Sequence, residues 1–275
     1  MNEPSWHDKQ YLPSLSIPHT DAIFESWRTR AAATRAKLPF KADIAYGLHP
    51  RETLDFYPST NAHGCIIYIH GGHWVDFSKN ETSWVAEGFV GQGLSVALIN
   101  YPLCPEVKIA DIRVSCIKAF ILLYQNLLSA AEREAVVVTG HSAGGYLAAA
   151  YLTEDWAAHG LPQNPIAGVL ALSGLFDVTP LMKTSLNADL HLDEVQCELL
   201  NLNAIQQLNA AKLALAVGQN ESVEFHCQST ELAKSWASLS PLVIDLAGAN
   251  HFTTVDDLAL PGSRLNKLAV AMARR

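Results

Sequence analysis

Glu134-Ala-Val-Val-Val-Thr139 runs directly into Gly140-His141-Ser142-Ala143-Gly144-Gly145, and small residues follow at Leu147-Ala-Ala-Ala150. The first run is rich in β-branched residues, which suit a pleated strand packed on its neighbours. Between it and the small-residue helix that follows lies the pattern glycine, any residue, serine, any residue, glycine. A serine on so sharp a strand-to-helix turn holds strained backbone angles, and the residues two positions to either side crowd together. Glycine at both places removes the Cβ atoms that would clash. The hydroxyl then stands above the sheet. The helix beginning near Ala143 aims unpaired N–H groups at the same spot, where negative charge gathers during acyl transfer. Ser142 is therefore the candidate nucleophile.

Outward from this turn, strands and helices alternate. Residues 41–47 and 52–58 read as two early strands joined at His49-Pro50, and short apolar runs follow at 65–69, 95–100, 168–172, 213–217 and 241–246. Helices are expected over about 109–128 and 144–158, and from about Ser263 onward. Continuous apolar strands separated by helices predict an α/β fold with a mostly parallel sheet covered on both faces. No repeat or linker divides the 275 residues, so a single domain over 1–275 is expected. Two stretches fit the alternation poorly: 1–40, where 21–37 looks helical, and 179–209. Insertions of this kind lie over the ligand crevice at the strand C-termini, so both are candidate lids or pocket walls.

The run 65–69 ends on His70-Gly71-Gly72-His73-Trp74. Glycines here let backbone N–H groups approach a carbonyl oxygen closely. Gly72, His73 and Ala143 are the expected oxyanion donors, with His70 holding the loop. His70 and His73 could also be read as metal ligands, but they sit on a glycine loop with no accompanying Asp, Glu or Cys cluster, so no metal and no cofactor are expected.

A serine nucleophile of this type is followed in the chain by an acid and then a histidine. His251, in Gly248-Ala-Asn-His251-Phe252, follows the last strand and is the candidate base. His141 is expected to point away from the serine. The acid should follow the run 213–217, where Gly218-Gln219-Asn220-Glu221-Ser222-Val223-Glu224 holds no aspartate. Glu221 is the first candidate, Glu224 the second, and Asp177 a weaker third. For the pocket wall, Trp74 is the first candidate, with Phe176 and Tyr11 behind it.

The bulk numbers bound the rest. The chain is 49% hydrophobic and 17% charged, with a net charge of −8. That composition supports a large core and gives no reason to expect nucleic acid or an anionic membrane as partner. Five cysteines, widely spaced and without a CxxC pair, predict buried free thiols. The first sixteen residues carry charge and proline and no apolar run, and the longest apolar stretch, 119–128, is broken by Gln125 and Asn126. A cytoplasmic protein is expected. Its partner would be a small-molecule ester or formamide, and a homodimer is left open.

Taken together, these motifs resemble the kynurenine formamidase (arylformamidase) branch of the α/β hydrolases. The resemblance runs over most of the chain. His70-Gly71-Gly72-His73-Trp74 is similar to that family's HGGxW motif, and Gly140-His141-Ser142-Ala143-Gly144-Gly145 to its elbow. Lys9-Gln10-Tyr11 looks like its early segment, and Gly218 to Ser222 with Glu224-Phe225 and Gln228-Ser229 like its acid segment. The resemblance implies an α/β-hydrolase fold and hydrolysis of an N-formyl arylamine. Glu221 and Asn250 depart from the aspartates usual at those two places. The same framework is similar to bacterial carboxylesterases of the hormone-sensitive-lipase type, which makes a short-chain carboxylesterase the alternative. A fold of this kind that had lost its chemistry would serve only as a binding protein.

Overall fold

The computed structural model describes residues 3–274. Eight strands form one sheet: β1 (Lys41–Ala45), β2 (Thr53–Tyr57), β3 (Gly64–Ile69), β4 (Leu94–Ile99), β5 (Val136–His141), β6 (Gly168–Leu172), β7 (Lys212–Gly218) and β8 (Leu242–Leu246). Their spatial order is β1-β2-β4-β3-β5-β6-β7-β8. The pairs β1–β2 and β2–β4 are antiparallel and all the others parallel. This is an α/β-hydrolase fold.

The central strands are buried on both faces, which is why they read as unbroken apolar runs. On β3, Cys65, Ile67 and Ile69 join one hydrophobic cluster, while Ile66 and Tyr68 join another. The first cluster is completed by the helices Ile109–Leu122 and Ala143–Ala150. The second is completed by Thr20–Lys37, Thr254–Ala259 and Arg264–Met272. The helix expected over 109–128 gives way at Leu123 to a wider turn that ends at Leu127. The one expected over 144–158 tightens into short single turns after Ala150. Five free cysteines are present, four of them buried. Cys227, on the helix Val223–Ser235, is exposed instead.

Parallel register sets the strand ends side by side. Ile69 pairs with Gly140, and His141 with Leu172. The loops leaving β3, β5, β6, β7 and β8 therefore open on one edge, the edge where ligands of open α/β sheets bind. No helix of the described residues is long and apolar enough to cross a membrane.

Candidate active site

Ser142 follows β5 directly, with φ 56° and ψ −120°. An L-residue there stores on the order of 1–3 kcal/mol of strain and is held only because its surroundings fix it. The Ser142 N–H donates to Leu172 O at 2.8 Å, and Ser142 O accepts from Tyr146 N at 3.1 Å. The two flanking glycines are sterically required. A Cβ on Gly140 would lie 2.1 Å from Gly144 O, and one on Gly144 would lie 2.0 Å from Ile69 O. Ala143 opens the helix Ala143–Ala150, so its N–H has no acceptor within the helix.

The glycine loop after β3 packs against this turn. A Cβ on Gly71 would sit 2.8 Å from His141 O and 3.1 Å from Ser142 Cβ. Gly72, His73 and Trp74 all have positive φ (105°, 52° and 62°), which wraps the loop around the space above the serine. Three anchors hold it. His70 Nδ1 donates to Gly71 O at 2.7 Å, and its ring stacks on Tyr101 at 4.2 Å. The Tyr101 hydroxyl donates to His70 O at 2.8 Å. His73 Nε2 donates to Tyr11 O at 3.0 Å.

Of the three acid candidates, the fold brings Glu221 to His251. His251 Nδ1 lies 2.6 Å from Glu221 Oε2, and the two side chains are 2% and 0% exposed. The other carboxylate oxygen, Oε1, accepts from the Ser173 hydroxyl and from Gly218 N, both at 2.6 Å. With Nδ1 donating to a carboxylate, the lone pair of the neutral imidazole sits on Nε2. Glu224 goes elsewhere: its Oε2 accepts from the Tyr11 hydroxyl at 2.7 Å. Asp177 caps its own turn, accepting from Thr179 N at 2.9 Å. Ser173 has φ 50° at the end of β6, and nothing in the sequence singled it out. Asn250 orders the loop before the histidine by accepting from Phe252 N and Thr253 N at 3.0 and 3.1 Å. That position needs an acceptor, which an amide supplies as well as a carboxylate does.

His141, which makes no hydrogen bond to the Ser142 hydroxyl, turns to the histidine loop. Its Nε2 donates to His251 O at 2.7 Å, and the two rings are 4.6 Å apart. It thus ties the serine turn to the histidine loop. The Ser142 hydroxyl is buried and makes no hydrogen bond to a described residue. Burial drives three imidazoles of this region toward the neutral form. His70 is pushed down to about 3, and His73 to about 4 with help from His251. His141 is held well below the ordinary range by burial and then by His251. Among the described residues no group of three or more His, Cys, Asp or Glu is placed to hold a metal ion.

Above Ser142 lies a cleft of about 190 Å³. Phe24, Trp27, Phe77 and Phe252 form an aromatic wall, and Tyr68 also lines the cleft. Phe24 meets Phe77 and Phe252 edge-on at 5.0 and 4.9 Å. Trp74, Phe176 and Tyr11, the wall read from the sequence, do not line it. All three belong to the core cluster on the opposite face of the sheet. The left-handed turn at His73 and Trp74 drives the Trp74 indole inward, where it meets Tyr146 edge-on at 5.6 Å. Phe176 is fully buried, and Tyr11 serves as acceptor for His73 and donor to Glu224.

Of the two irregular stretches, the first contributes Ser14, Phe24 and Trp27 to the cleft, and 179–209 contributes nothing. The helix Thr20–Lys37 is held in place by ion pairs of Arg30 with Asp256 and Arg35 with Asp55, and by a 2.7 Å bond from Thr34 to Glu87. Phe24 and Trp27 stand one helical turn apart, the spacing that puts two side chains on one face. That spacing was the available signal for this wall. Phe77 is fixed from behind, because Arg51 Nη2 donates to its carbonyl at 2.5 Å.

Residues 66–254 match a family model described as the alpha/beta hydrolase fold. The kynurenine formamidase of Danio rerio is 30% identical over 97% of this chain and 92% of its own length. That of Salmo salar matches at the same identity and coverage. Among solved structures, a provisionally assigned thioesterase from a Silicibacter species superposes with a TM-score of 0.85 at 28% identity, covering 94% of this chain and 97% of its own. Esterase B of Lactobacillus rhamnosis, at 19% identity and a TM-score of 0.68, shares the fold over 92% of this chain and 95% of its own.

Proposed function

This chain belongs to the α/β-hydrolase family, with kynurenine formamidases among its homologues, and on that premise we propose that it hydrolyses an N-formyl arylamine or a small carboxylic ester through Ser142, His251 and Glu221. The observation that carries this reading is the 2.6 Å contact between His251 Nδ1 and a fully buried Glu221 carboxylate. Such a carboxylate orients the imidazole and stabilises its positive form during proton transfer.

In the proposed reaction, substrate arrival closes the Ser142–His251 hydrogen bond; bonds of this type are often long before substrate binds. His251 Nε2 then takes the Ser142 proton as the hydroxyl oxygen attacks the carbonyl carbon. Backbone N–H groups of Gly72, His73 and Ala143 receive the oxyanion. Each such donor is worth about 2.7–4 kcal/mol in the transition state. His251 returns the proton to the leaving arylamine or alcohol, and water releases the acid from the serine by the same steps. The ring of an aryl substrate rests on Phe24, Trp27, Phe77 and Phe252.

The test compares kcat/KM for N-formylkynurenine and for short p-nitrophenyl esters, alongside labelling of Ser142 by a fluorophosphonate probe. Labelling and a preference for the formamide are expected. Labelling with a strong preference for the esters would replace the formamidase reading by that of a short-chain carboxylesterase. A protein that stays unlabelled would be a binding protein without an activated serine.

A further inference from the structure

The cleft has polar groups that the proposed reaction does not use. Tyr68 and Trp27 both line it, at 1% and 4% exposure, and both belong to the cluster on the same face of the sheet. The Tyr68 hydroxyl and the Trp27 indole nitrogen are buried without a hydrogen-bond partner among the described residues. Buried polar groups nearly always find a partner, since an unmet donor forfeits its hydration and gets nothing back. Two orphaned donors in the wall of a substrate cleft are therefore a signal for a ligand group.

The charges around them narrow what that group is. Among the described residues no lysine or arginine lines the cleft. Lys79 is buried and engaged by Asp43 at 2.6 Å and Asp55 at 2.9 Å. Arg51 is committed to the carbonyls of Tyr101 and Phe77. The carboxylate of the lining, Asp76, lies in the exposed rim and accepts from Phe77 N at 2.7 Å. Burial keeps the lining histidines His70, His73 and His141 neutral. An anion entering here would give up water without meeting a countercharge, in a protein of net charge −8. A carbonyl oxygen can accept from both groups.

We propose that Tyr68 and Trp27 form a subsite for an uncharged hydrogen-bond acceptor carried on the aromatic ring of the substrate, a ketone or ester carbonyl, and that the cleft discriminates against a carboxylate in that position. This rests on the acyl-hydrolase reading of the same cleft. Tyr68→Phe removes an unpaired hydroxyl, so it leaves the melting temperature unchanged or raised while it removes the selectivity. A hydroxyl whose role was structural would lower the melting temperature when deleted.

The experiment uses three formanilides that differ only at the ortho position: acetyl, ethyl and carboxylate. In the wild type kcat/KM for the acetyl compound should exceed that for the ethyl compound, which lacks the carbonyl oxygen, by about tenfold, with the carboxylate below both. Tyr68→Phe and Trp27→Phe should each bring the acetyl-to-ethyl ratio down toward one. Comparing the ratio between proteins cancels the intrinsic reactivity of each substrate. The same preference is read without turnover from calorimetric binding of 2′-acetylacetanilide and 2′-ethylacetanilide to the Ser142→Ala protein. If no formanilide is cleaved, the formamidase reading falls, and the binding ratio still decides the subsite. Equal affinity for the two acetanilides, a ratio that neither variant moves, or a preference for the carboxylate would overturn the proposal.

Discussion

The serine side of the cleft and its aromatic side are held in different ways. On the serine side the backbone does the holding. Ser142, Gly72 and His73 sit in left-handed conformations, glycines touch carbonyl oxygens, and Glu221 is gripped by Ser173, Gly218 and His251 at 2.6 Å each. On the aromatic side four rings from three distant parts of the chain meet edge-on or tilted at 4.9–6.2 Å. Such ring pairs tolerate exchange for other apolar groups at modest cost, whereas a backbone turn with no room for a Cβ does not. Changes on the serine side should therefore act on kcat, and changes on the aromatic side on KM.

The largest expected effect is that of Ser142→Ala, which should lower kcat by roughly 10⁶ and abolish fluorophosphonate labelling. A variant that keeps near-normal turnover would end the nucleophile assignment. Next, Glu221→Gln should cost about 10³–10⁴ in kcat, while Glu224→Gln, which loosens only the Tyr11 contact, should cost less than about tenfold. A larger loss for Glu224 would reverse the choice of acid. Ser173→Ala removes one of the donors gripping Glu221 and should lower kcat by about 10–100-fold at nearly constant KM. Phe24→Leu, on the other side, should raise KM by a few fold, equivalent to about 0.5–1.5 kcal/mol, and hardly touch kcat. If kcat falls instead, the two sides are not separable in the way their construction suggests.

Acid sharpens the contrast through the histidines of the serine side. His70 and His141 are buried and His73 is half-buried, and all three are held neutral, while an unfolded chain protonates its imidazoles near pH 6.5. As pH falls below that value the unfolded state takes up protons that the native state refuses. Stability present above pH 6.5 is then lost progressively, down to about pH 4 for His73 and about pH 3 for His70. The slope is roughly 1.4 kcal/mol per pH unit for each imidazole. Urea midpoints at pH 7 and pH 5 measure it, and equal midpoints would contradict the burial argument.

The sequence by itself determined whatever rests on short-range sterics. A β-branched run ending in glycine, serine and glycine can turn in few ways, and unbroken apolar strands must be covered on both faces, so the elbow at Ser142, the glycine loop at 70–74 and the parallel sheet were all legible. Strand order then placed His251 at the right edge and narrowed the acid to Glu221, Glu224 or Asp177. Which of them meets His251 was decided by the tertiary structure. Residues 221 and 224 stand three positions apart, and which carboxylate meets His251 depends on the pocket that Ser173 and Gly218 make beside one of them. The cleft wall was likewise decided in three dimensions. Trp74 is adjacent in sequence to the glycine loop, yet two left-handed residues turn it into the core, and the rings that face the serine arrive from positions 24, 27, 77 and 252. Local backbone constraint is written in neighbouring residues. The face a side chain presents depends on long-range packing, which no single stretch of the chain contains.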